Sequence, residues 1–457
     1  MTDTSLPTAG LDGFTGAVLR PDDASYDEAR TVYNSMIDRR PALIAQCASA
    51  DDVAVAVRYG VSQGLEIAIR GGGHGVAGTS ATEGGIVIDL RRMNHVDIDP
   101  DARTARVEGG ATWSHFDRTC QPYNLATTGG RFSSTGVAGL TLGGGSGWIE
   151  RKYGLASDNL LSVELVTADG RTVVANEEEN PDLFWALHGG GGNFGVATAL
   201  TFRLHSLPVT TFCLLLWPAS YGDEVVRVYR DLVESGLPEE LGGAAVYLTA
   251  PPAPFVPEHI QGTRCVGIAG VYDGPEQPMR DLFRPLLNLM PAVTMIAEMP
   301  YSEIQSAIDA PPTFRNYFSA EHLASFPDAA VELFCTRAAD MVSPSPSQHL
   351  AIPWGGAVRR NAGDWPQPHR AADWVVHPLG MWEDPADDER GIAWARGYMA
   401  DMKPFSTGAV YLNFIGDEGQ DRVVAGFGQA NYDRLATIKG EYDPNNVFHL
   451  NQNIKPA

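Results

Sequence analysis

A strand-like apolar run ends at Arg70 and leads directly into three glycines and a histidine, in the sequence RGGGHGVAGTS of residues 70–80. Glycine tolerates a positive φ and lets backbone N–H groups approach an anion closely, so a turn of this kind can hold phosphates. One ring, that of His74, stands at the lip of the turn. The loop predicts a nucleotide cofactor beside an imidazole, although a glycine-rich stretch alone is also compatible with an ordinary turn.

Two further glycine clusters follow in the same half of the chain. Residues 127–147 read TTGGRFSSTGVAGLTLGGGSG, and residues 189–196 read GGGGNFGV. A segment so poor in large side chains cannot build a core of its own, and the interleaved Val137, Leu140 and Leu142 argue against a flexible linker. We therefore expect the second cluster to wrap a flat or anionic ligand. The third precedes an alternating run, ATALTFRL, that predicts a strand.

These motifs, taken in order with RKYGLASDNLLSVELVTADG, DLFWALHGGGGNFGV and YDPNNVFHLNQNI, resemble the berberine-bridge-enzyme-like FAD-linked oxidases. That family belongs to the vanillyl-alcohol oxidase and p-cresol methylhydroxylase (PCMH) superfamily. The resemblance spans roughly residues 35–455, and four ordered motifs are more specific than any single one. It implies an α+β fold with a PCMH-type FAD-binding domain and a substrate domain in which helices cover one face of an antiparallel sheet.

The resemblance and the change of pattern along the chain predict four parts. They are an N-terminal arm (1–35), the FAD-binding domain (36–208), the substrate domain (209–407) and a C-terminal segment that returns to the FAD domain (408–457). The length of 457 residues, 44% of them hydrophobic, also exceeds what one core usually holds.

Local patterns predict several elements within these parts. Residues 49–63 predict a helix behind an N-cap, and LEIAIR predicts the strand that enters the first loop. In the substrate domain, GDEVVRVYRDLVESG and DERGIAWARGYMADM predict helices. Strands are predicted for TTFCLLLWP, AAVYLTA, CVGIAGVY, WGGAVRR and WVVHPLG.

By resemblance, the histidine of R-G-G-G-H is bonded covalently to the 8α-methyl group of the flavin, and the matching residue is His74. A neutral imidazole nitrogen is a competent nucleophile near pH 7. Many relatives add a cysteine linked to flavin carbon 6, but Phe132 occupies that place here and the nearest cysteine is Cys120. We expect one covalent bond and no cysteinyl link; the alternative is a noncovalent loop histidine beside dissociable FAD.

The same motifs assign further cofactor contacts. Asn451 and Asn453 lie two apart in an extended segment, which would place both on one face. Asp158 and Asn159 could simply cap a turn. The expected FAD-binding residues are Arg70, Gly71, Gly72, Gly73, His74, Gly75, Gly129, Gly130, Thr135, Gly136, Gly139, Gly143, Val196, Asn413, Asn451 and Asn453.

Oxidation of a C–H bond by a flavin needs a hydride acceptor and a base for the proton of the adjoining O–H or N–H. Residues 409–414, AVYLNF, resemble the family's Y-x-N-[YF] strand, which predicts Tyr411 as the base and places Asn413 on the same side. His377 is the second catalytic candidate, as a residue that orients the substrate or assists proton transfer. Each has a structural alternative: a tyrosine packed at the domain interface and a hydrogen-bonded core histidine. His369 and Arg370 are expected to join the sheet to the FAD domain.

The implied activity is hydride transfer from an alcohol, amine or activated C–H of a small molecule, such as a sugar, a phenolic compound or a secondary metabolite. O2 would be the acceptor and H2O2 the product. Two alternatives stay open: a dehydrogenase or cyclising enzyme that does not use O2, and a degenerate flavin-binding protein without activity. The GGGSG run lacks the strand, helix and acidic residue of a dinucleotide-binding βαβ unit. The histidines show no metal-binding spacing, so no metal is expected.

Composition limits the partners. A net charge of −23 argues against nucleic acid and anionic membranes. There is no apolar run of the roughly 18 residues that a membrane helix needs, and the N-terminus does not read as a signal peptide. The scattered cysteines, Cys47, Cys120, Cys213, Cys265 and Cys335, are typical of reduced thiols. We expect a cytoplasmic monomer or homodimer.

Overall fold

The computed structural model describes residues 11–309 and 313–457, and two small sheets carry the glycine-rich loops of its first half. The first ten residues of the predicted N-terminal arm lie outside the described part. The strands of this half are β1 (Ala17–Leu19), β2 (Leu43–Gln46), β3 (Ile67–Arg70), β4 (Ile86–Asp89), β5 (Val96–Asp99), β6 (Thr104–Glu108), β7 (Leu125–Ala126), β8 (Leu160–Val166), β9 (Thr172–Ala175), β10 (Val196–Arg203) and β11 (His205–Ser206).

Strands β1 to β4 form one sheet in the order β1-β2-β4-β3, in which β2, β4 and β3 run parallel. Their near-continuous apolar sequences, such as IAIR and IVID, are buried almost throughout, as expected of parallel strands covered on both faces. Strand β3 ends at Arg70, so the RGGGH loop starts at the carboxyl edge of this sheet. The second sheet is antiparallel, in the order β5-β6-β10-β8-β9. A short pair, β7 with β11, stands apart from both.

Several helices complete the first half of the chain. The predicted helix behind Ser49 is confirmed as α2, where the Ser49 hydroxyl accepts a hydrogen bond from the Asp52 amide at 3.2 Å. A short helix, α4, lies within the second glycine cluster, and it is anchored in the core by Val137 and Leu142. The helices are α1 (Tyr26–Arg30), α2 (Ala50–Ser62), α3 (Trp113–Cys120), α4 (Val137–Leu142), α5 (Glu150–Tyr153) and α6 (Pro181–Ala186).

The second half is built on one large antiparallel sheet with the order β15-β12-β14-β13-β18-β19-β16, to which β17 adds beside β19. Its strands are β12 (Thr210–Pro218), β13 (Leu241–Thr249), β14 (Arg264–Asp273), β15 (Val293–Glu298), β16 (Arg315–Phe318), β17 (Glu321–Leu323), β18 (Gln348–Pro353) and β19 (Trp374–Trp382). Its helices are α7 (Gly222–Glu234), α8 (Glu276–Leu282), α9 (Arg284–Leu287), α10 (Tyr301–Ile304), α11 (Asp328–Arg337), α12 (Gly356–Arg360) and α13 (Asp388–Met402).

The long helices cover one face of this sheet. Val226 of α7, Phe334 of α11 and Tyr398 of α13 share an apolar core with the alternate sheet residues Ala351 and Val376. Residues of the opposite parity on β16, β18 and β19 therefore face the first half of the chain. The predicted arrangement of helices on one face of an antiparallel sheet is confirmed.

The chain ends by returning to the first half through α14 (Gln420–Phe427) and α15 (Gln429–Tyr442). Within α15, Lys439 is fully buried, and its ammonium group donates to the carbonyls of Asn193 and Phe448, each at 2.9 Å. Asp443 holds the following turn by accepting from the amides of Val447 and Phe448. The C-terminal segment is thereby fixed against the third glycine cluster.

The His-Arg pair joins the two halves, as expected. The Arg370 guanidinium pairs with Asp158, with a distance of 2.8 Å between Nη1 and Oδ1, and both side chains are almost completely buried. Asp158 also accepts from the Leu155 amide at 2.8 Å, so it caps a turn and also forms an ion pair between the two halves of the chain.

Two predicted elements were wrong. WGGAVRR is not a strand: Gly355 and Gly356 have φ values of +94° and +54°, and the chain turns into helix α12. The AVYLNF segment is not a strand either, because Leu412–Phe414 forms a turn of 3-10 helix.

Other 3-10 turns are Gln121–Tyr123, Ala156–Asn159, Gly191–Asn193, Ala219–Tyr221, Ala338–Asp340, Pro368–Ala371, Pro385–Asp387 and Lys403–Phe405. No helix in the described ranges combines the length and apolar character needed to cross a membrane.

Candidate functional site

A cavity of about 360 Å³ lies between the glycine-rich loops and the uncovered face of the large sheet. All three glycine clusters contribute to its wall, with the C-terminal segment and strands β16, β18 and β19. Predicted site residues on the wall are Gly71, Gly72, Gly73, His74, Gly75, Gly130, Thr135, Gly136, Gly139, Gly143, His377, Asn413 and Asn451.

The first two glycine loops touch backbone to backbone at the cavity. A Cβ atom built on Gly72 would lie 2.4 Å from the amide nitrogen of Gly136, and one built on Gly136 would lie 2.4 Å from that of Gly72. No side chain fits at either position. By contrast, a Cβ on Gly139 would meet no protein atom within 4 Å, because this residue faces the open cavity.

His74 lies on the cavity wall between two aromatic rings. Its imidazole stacks on Tyr33, with 3.7 Å between ring centroids, and Phe132 lies 5.7 Å away. Burial lowers the pKa of His74 to about 4, so the ring is neutral at physiological pH. Its Nε2 atom is buried and has no hydrogen-bond partner in the described part of the chain. The site thus presents an uncharged imidazole with an unused nitrogen.

Other polar groups on the wall also lack partners within the described ranges. Ser80 Oγ and the side-chain carbonyl of Asn451 are buried and unbonded, and the backbone amides of Gly71 and Gly72 donate to no protein acceptor. Unsatisfied buried polar atoms are rare unless a ligand completes them. Free amides suit phosphate oxygens, and the flat glycine-lined gap suits an aromatic ring system. The residues present therefore fit FAD.

The uncovered face of the large sheet forms the opposite wall. Across three strands, Gln348 of β18 stands opposite Leu379 of β19, which stands opposite Phe318 of β16. One step along, Leu350 pairs with His377. Among the described residues of this face that line the cavity, Gln348 and His377 are polar and the others are apolar.

The surroundings of His377 define its protonation. Its Nδ1 lies 2.7 Å from the Ser319 carbonyl oxygen, which can only accept, so Nδ1 carries the proton and Nε2 has the lone pair. The ring stacks on Phe414, with 4.1 Å between centroids and 9° between planes. Burial lowers the pKa of His377 to about 3. On the cavity wall, His377 is a fixed, neutral hydrogen-bond acceptor.

Tyr411, the other catalytic candidate, does not line the cavity and is fully buried. Its hydroxyl oxygen is contacted by the amides of Gly145 at 2.6 Å and Ser146 at 3.1 Å, and by the Asn413 side-chain amide at 2.9 Å. Burial raises the pKa of Tyr411 to about 12, even though these three donors favour the phenolate. The side chains of Tyr411 and Asn413 lie on the same side of this segment and are hydrogen-bonded to each other. The Tyr411 hydroxyl, however, binds the loop that contains Gly145 and Ser146.

Four predicted cofactor residues, Arg70, Gly129, Val196 and Asn453, lie off the cavity wall, and their contact with FAD stays a prediction. The Arg70 guanidinium turns away to the carbonyls of Ala29 and Thr31. Gly129 packs against Trp113, where a Cβ would lie 2.5 Å from the indole, and Val196 belongs to a core cluster.

Asn453 is the fourth such residue, because a tight turn, in which the Asn451 amide donates to the His449 carbonyl, breaks the expected alternation. As a result Asn451 and Gln452 face the cavity, and Asn453 does not.

The sequence reasoning also missed wall residues. The glycines and asparagine at 189–193 were recognised as a cluster but not assigned to the site. Gln348 and Leu350 of β18, Leu379 of β19 and Phe318 of β16 come from three strands, and only the sheet register brings them together. The alternation of β18 was the one available signal. Within the described residues no group of histidine, cysteine, aspartate or glutamate side chains is arranged to hold a metal.

Comparison with known proteins agrees with this site. A family model described as an FAD binding domain matches residues 41–176, and one described as berberine and berberine like matches residues 410–455. The chain is 32% identical to (R)-6-hydroxynicotine oxidase of Paenarthrobacter nicotinovorans, over 96% of this chain and 97% of that protein.

Two further similarities bear on the fold and the substrate. The crystal structure of 6-hydroxy-D-nicotine oxidase from Arthrobacter nicotinovorans superposes with a TM-score of 0.85 at 28% identity, covering 99% of this chain and 100% of that one. Glucooligosaccharide oxidase of Sarocladium strictum is 26% identical, over 95% of this chain and 91% of the relative. The substrates in these names belong to different chemical classes.

Proposed function

Because the chain belongs to the berberine-bridge-enzyme-like FAD-linked oxidoreductases, with the α+β PCMH-type fold, we propose that it holds FAD covalently on His74 and oxidises a small organic molecule. FAD-dependent oxidase activity is common to the named relatives. The proposed reaction removes a hydride from a carbon that bears an alcohol or amine, or from another activated C–H, and passes the electrons to O2 to give H2O2.

The observation that carries the covalent proposal is the unpartnered Nε2 of His74 on the cavity wall. A neutral, desolvated imidazole keeps its lone pair available as a nucleophile at neutral pH. The new C–N bond replaces one C–H bond of the flavin 8α-methyl group, so forming it is a two-electron oxidation. O2, already the oxidant of the proposed reaction, would take up those electrons. With Phe132 beside His74 and no cysteine there, we propose a single link.

FAD, when bound, accepts the hydride from the substrate carbon. The chain's own residues bind and orient that carbon. His377 Nε2 accepts a hydrogen bond from the substrate O–H or N–H next to it, because Ser319 keeps the proton on Nδ1. Phe414 holds the ring plane by stacking. Apolar side chains on the sheet face exclude water.

We propose a different role for Tyr411. Its hydroxyl holds the amides of Gly145 and Ser146, which follow the wall residue Gly143, and Asn413 packs directly against Gly143. We therefore place Tyr411 as a positioning residue of this loop. Its role as the base stays a prediction.

The experiment that tests the function is anaerobic mixing with candidate alcohols and amines, followed by admission of air. An oxidase bleaches with substrate and recovers its yellow colour rapidly in air with one H2O2 per substrate. Slow recovery in air with fast recovery by an artificial acceptor would identify a dehydrogenase, and no bleaching with any candidate would favour a flavin-binding protein without activity. The cytoplasmic location and the monomeric or homodimeric state stay predictions.

A further inference from the structure

Gln348 is a polar residue on the part of the cavity wall that the large sheet forms, and none of the described residues binds its side chain. It is half-buried at the start of β18, lines the cavity, and its side-chain amide has no hydrogen-bond partner within the described ranges. The neighbouring wall residues Leu379 and Phe318 are apolar and buried. An amide on such a wall is available to bind a ligand, both as a hydrogen-bond donor and as an acceptor.

The sheet register fixes the relation between Gln348 and His377. Gln348 stands opposite Leu379, two residues beyond His377 on the same face of β19, so the two polar side chains are diagonal neighbours. Diagonal positions on adjacent antiparallel strands are about 7–8 Å apart. Two separate hydrogen-bonding side chains thus stand on one wall, and their backbone positions are separated by about the length of a six-membered ring with its substituents.

Between and around these points the wall offers little to a polyhydroxylated molecule. Leu350, Ile352, Leu379 and Phe318 present no hydrogen-bonding side-chain atoms. A saccharide held there would leave hydroxyl groups buried and unpaired, at a cost of about 1–3 kcal/mol for each.

The small number of charged groups on the wall also restricts which ligands can bind. Among its described residues Arg131 is the one with a formal charge, and the buried Glu150 neutralises it at 2.9 Å. No carboxylate on the described wall faces a cationic ligand. An ammonium or carboxylate group would therefore lose its hydration without gaining a partner.

We propose, on the premise of the proposed oxidase function, that Gln348 is a specificity-determining residue and that the substrate is a compact, uncharged ring molecule with two polar ends. The end that is oxidised binds His377, and the other end binds Gln348. An amine substrate enters in its neutral form. Oligosaccharides and charged molecules are excluded.

Binding measured under nitrogen, where O2 cannot reoxidise the flavin, tests this without steady-state turnover. We would titrate the FAD-loaded protein calorimetrically with 4-hydroxybenzamide, which has two polar ends, with 4-methylbenzamide, which lacks the second, and with cellobiose. The variant is Gln348→Met, and Gln429→Met, on an exposed helix surface, is the matched control.

We expect 4-hydroxybenzamide to bind more tightly than 4-methylbenzamide, and Gln348→Met to weaken the former about three- to tenfold while leaving the latter within about twofold. His377→Leu should weaken both, and Gln429→Met neither. The inference is overturned if cellobiose binds more tightly than the benzamides, if Gln348→Met weakens both benzamides equally or neither, or if neither binds at millimolar concentration. Failure of the oxidase proposal would appear separately, as absent peroxide formation in a protein whose binding follows these expectations.

Discussion

The phenol ring of Tyr33 lies flat on the imidazole of His74, with 3.7 Å between the ring centroids and 18° between the ring planes. Tyr33 belongs to the segment between α1 and β2, and its neighbour Asn34 donates to the carbonyls of Val76 at 2.9 Å and Asn316 at 3.0 Å. The N-terminal segment therefore connects the histidine loop to the large antiparallel sheet. It also fixes the plane of the His74 imidazole, which lines the cavity.

Loss of the stacked ring should lower the extent of covalent attachment. We expect Tyr33→Ala to bind FAD but to keep a smaller acid-stable fraction, because the imidazole is no longer held in one plane. Tyr33→Phe is the control: its ring is preserved, and within the described residues the lost hydroxyl has one hydrogen bond, to the Met381 sulfur at 3.9 Å. The measurement is flavin absorbance in the precipitate and the supernatant after acid treatment. Equal covalent fractions in Tyr33→Ala and the parent would contradict the proposed role.

The two catalytic candidates can be separated by variants. Removing the acceptor in His377→Leu should lower kcat/KM about a hundredfold or more. Tyr411→Phe should lower it less, and should reduce the free energy of unfolding by about 1–3 kcal/mol, because it leaves three buried donors without an acceptor. Both variants should retain FAD. The reverse order of activities would identify Tyr411 as the base.

The pH profile gives a second test of His377. Because burial lowers its pKa to about 3, the residue stays neutral throughout the range in which the enzyme is assayed. We expect kcat/KM of the parent to show no rise centred near the ordinary histidine value of about 6.5. An ascending limb there that disappears in His377→Leu would show that His377 titrates normally and is not desolvated.

Asp117, fully buried on α3, should make the protein less stable at alkaline pH. Burial raises its pKa from 3.8 to about 8 in the folded state, with one opposing hydrogen bond from Gln305 at 3.3 Å. Between these values the unfolded chain has released a proton that the folded chain still holds, so stability falls as pH rises.

Asp117→Asn does not titrate and should raise the free energy of unfolding by about 2–4 kcal/mol at pH 8, with little gain near pH 4. Urea unfolding of both proteins at the two pH values measures this. An equal gain in the free energy of unfolding at both pH values would show that burial does not keep Asp117 protonated in the folded protein.

The buried ion pair between Arg370 and Asp158 should contribute more to stability than an ion pair on the surface. Arg370→Met leaves Asp158 buried and unpaired, and we expect it to lower the free energy of unfolding by about 3–5 kcal/mol. Arg359→Met breaks the exposed pair with Asp373 and should cost about 1 kcal/mol or less. Denaturant unfolding of the two variants beside the parent is the comparison. Similar losses of unfolding free energy in the two variants would show that the buried pair contributes no more to stability than the exposed pair.

Local features of the site were predictable because they depend on residues close together in the chain. The RGGGH loop, the helix behind Ser49 and the helix-covered sheet all follow from glycine placement, capping and alternation. His74 was recognised because one reactive ring stands among glycines.

Features set by tertiary contact were not predictable. The alternation argument placed Asn453 at the flavin, but a turn at His449 shifts the facing residues to Asn451 and Gln452. Arg70 sits beside the loop in sequence, yet its guanidinium bonds to carbonyls of the N-terminal segment. Gln348 belongs to the site only through the pairing of β18 with β19, a long-range register that one sequence does not reveal.

Covalent attachment of FAD at His74 is the central claim, and acid precipitation of the purified protein beside His74→Ala tests it most directly. The account predicts a yellow precipitate from the parent, and from the variant a colourless precipitate with any flavin in the supernatant. Yellow supernatant and colourless precipitate from the parent would contradict the covalent bond, and a yellow precipitate from His74→Ala would place the bond on another residue.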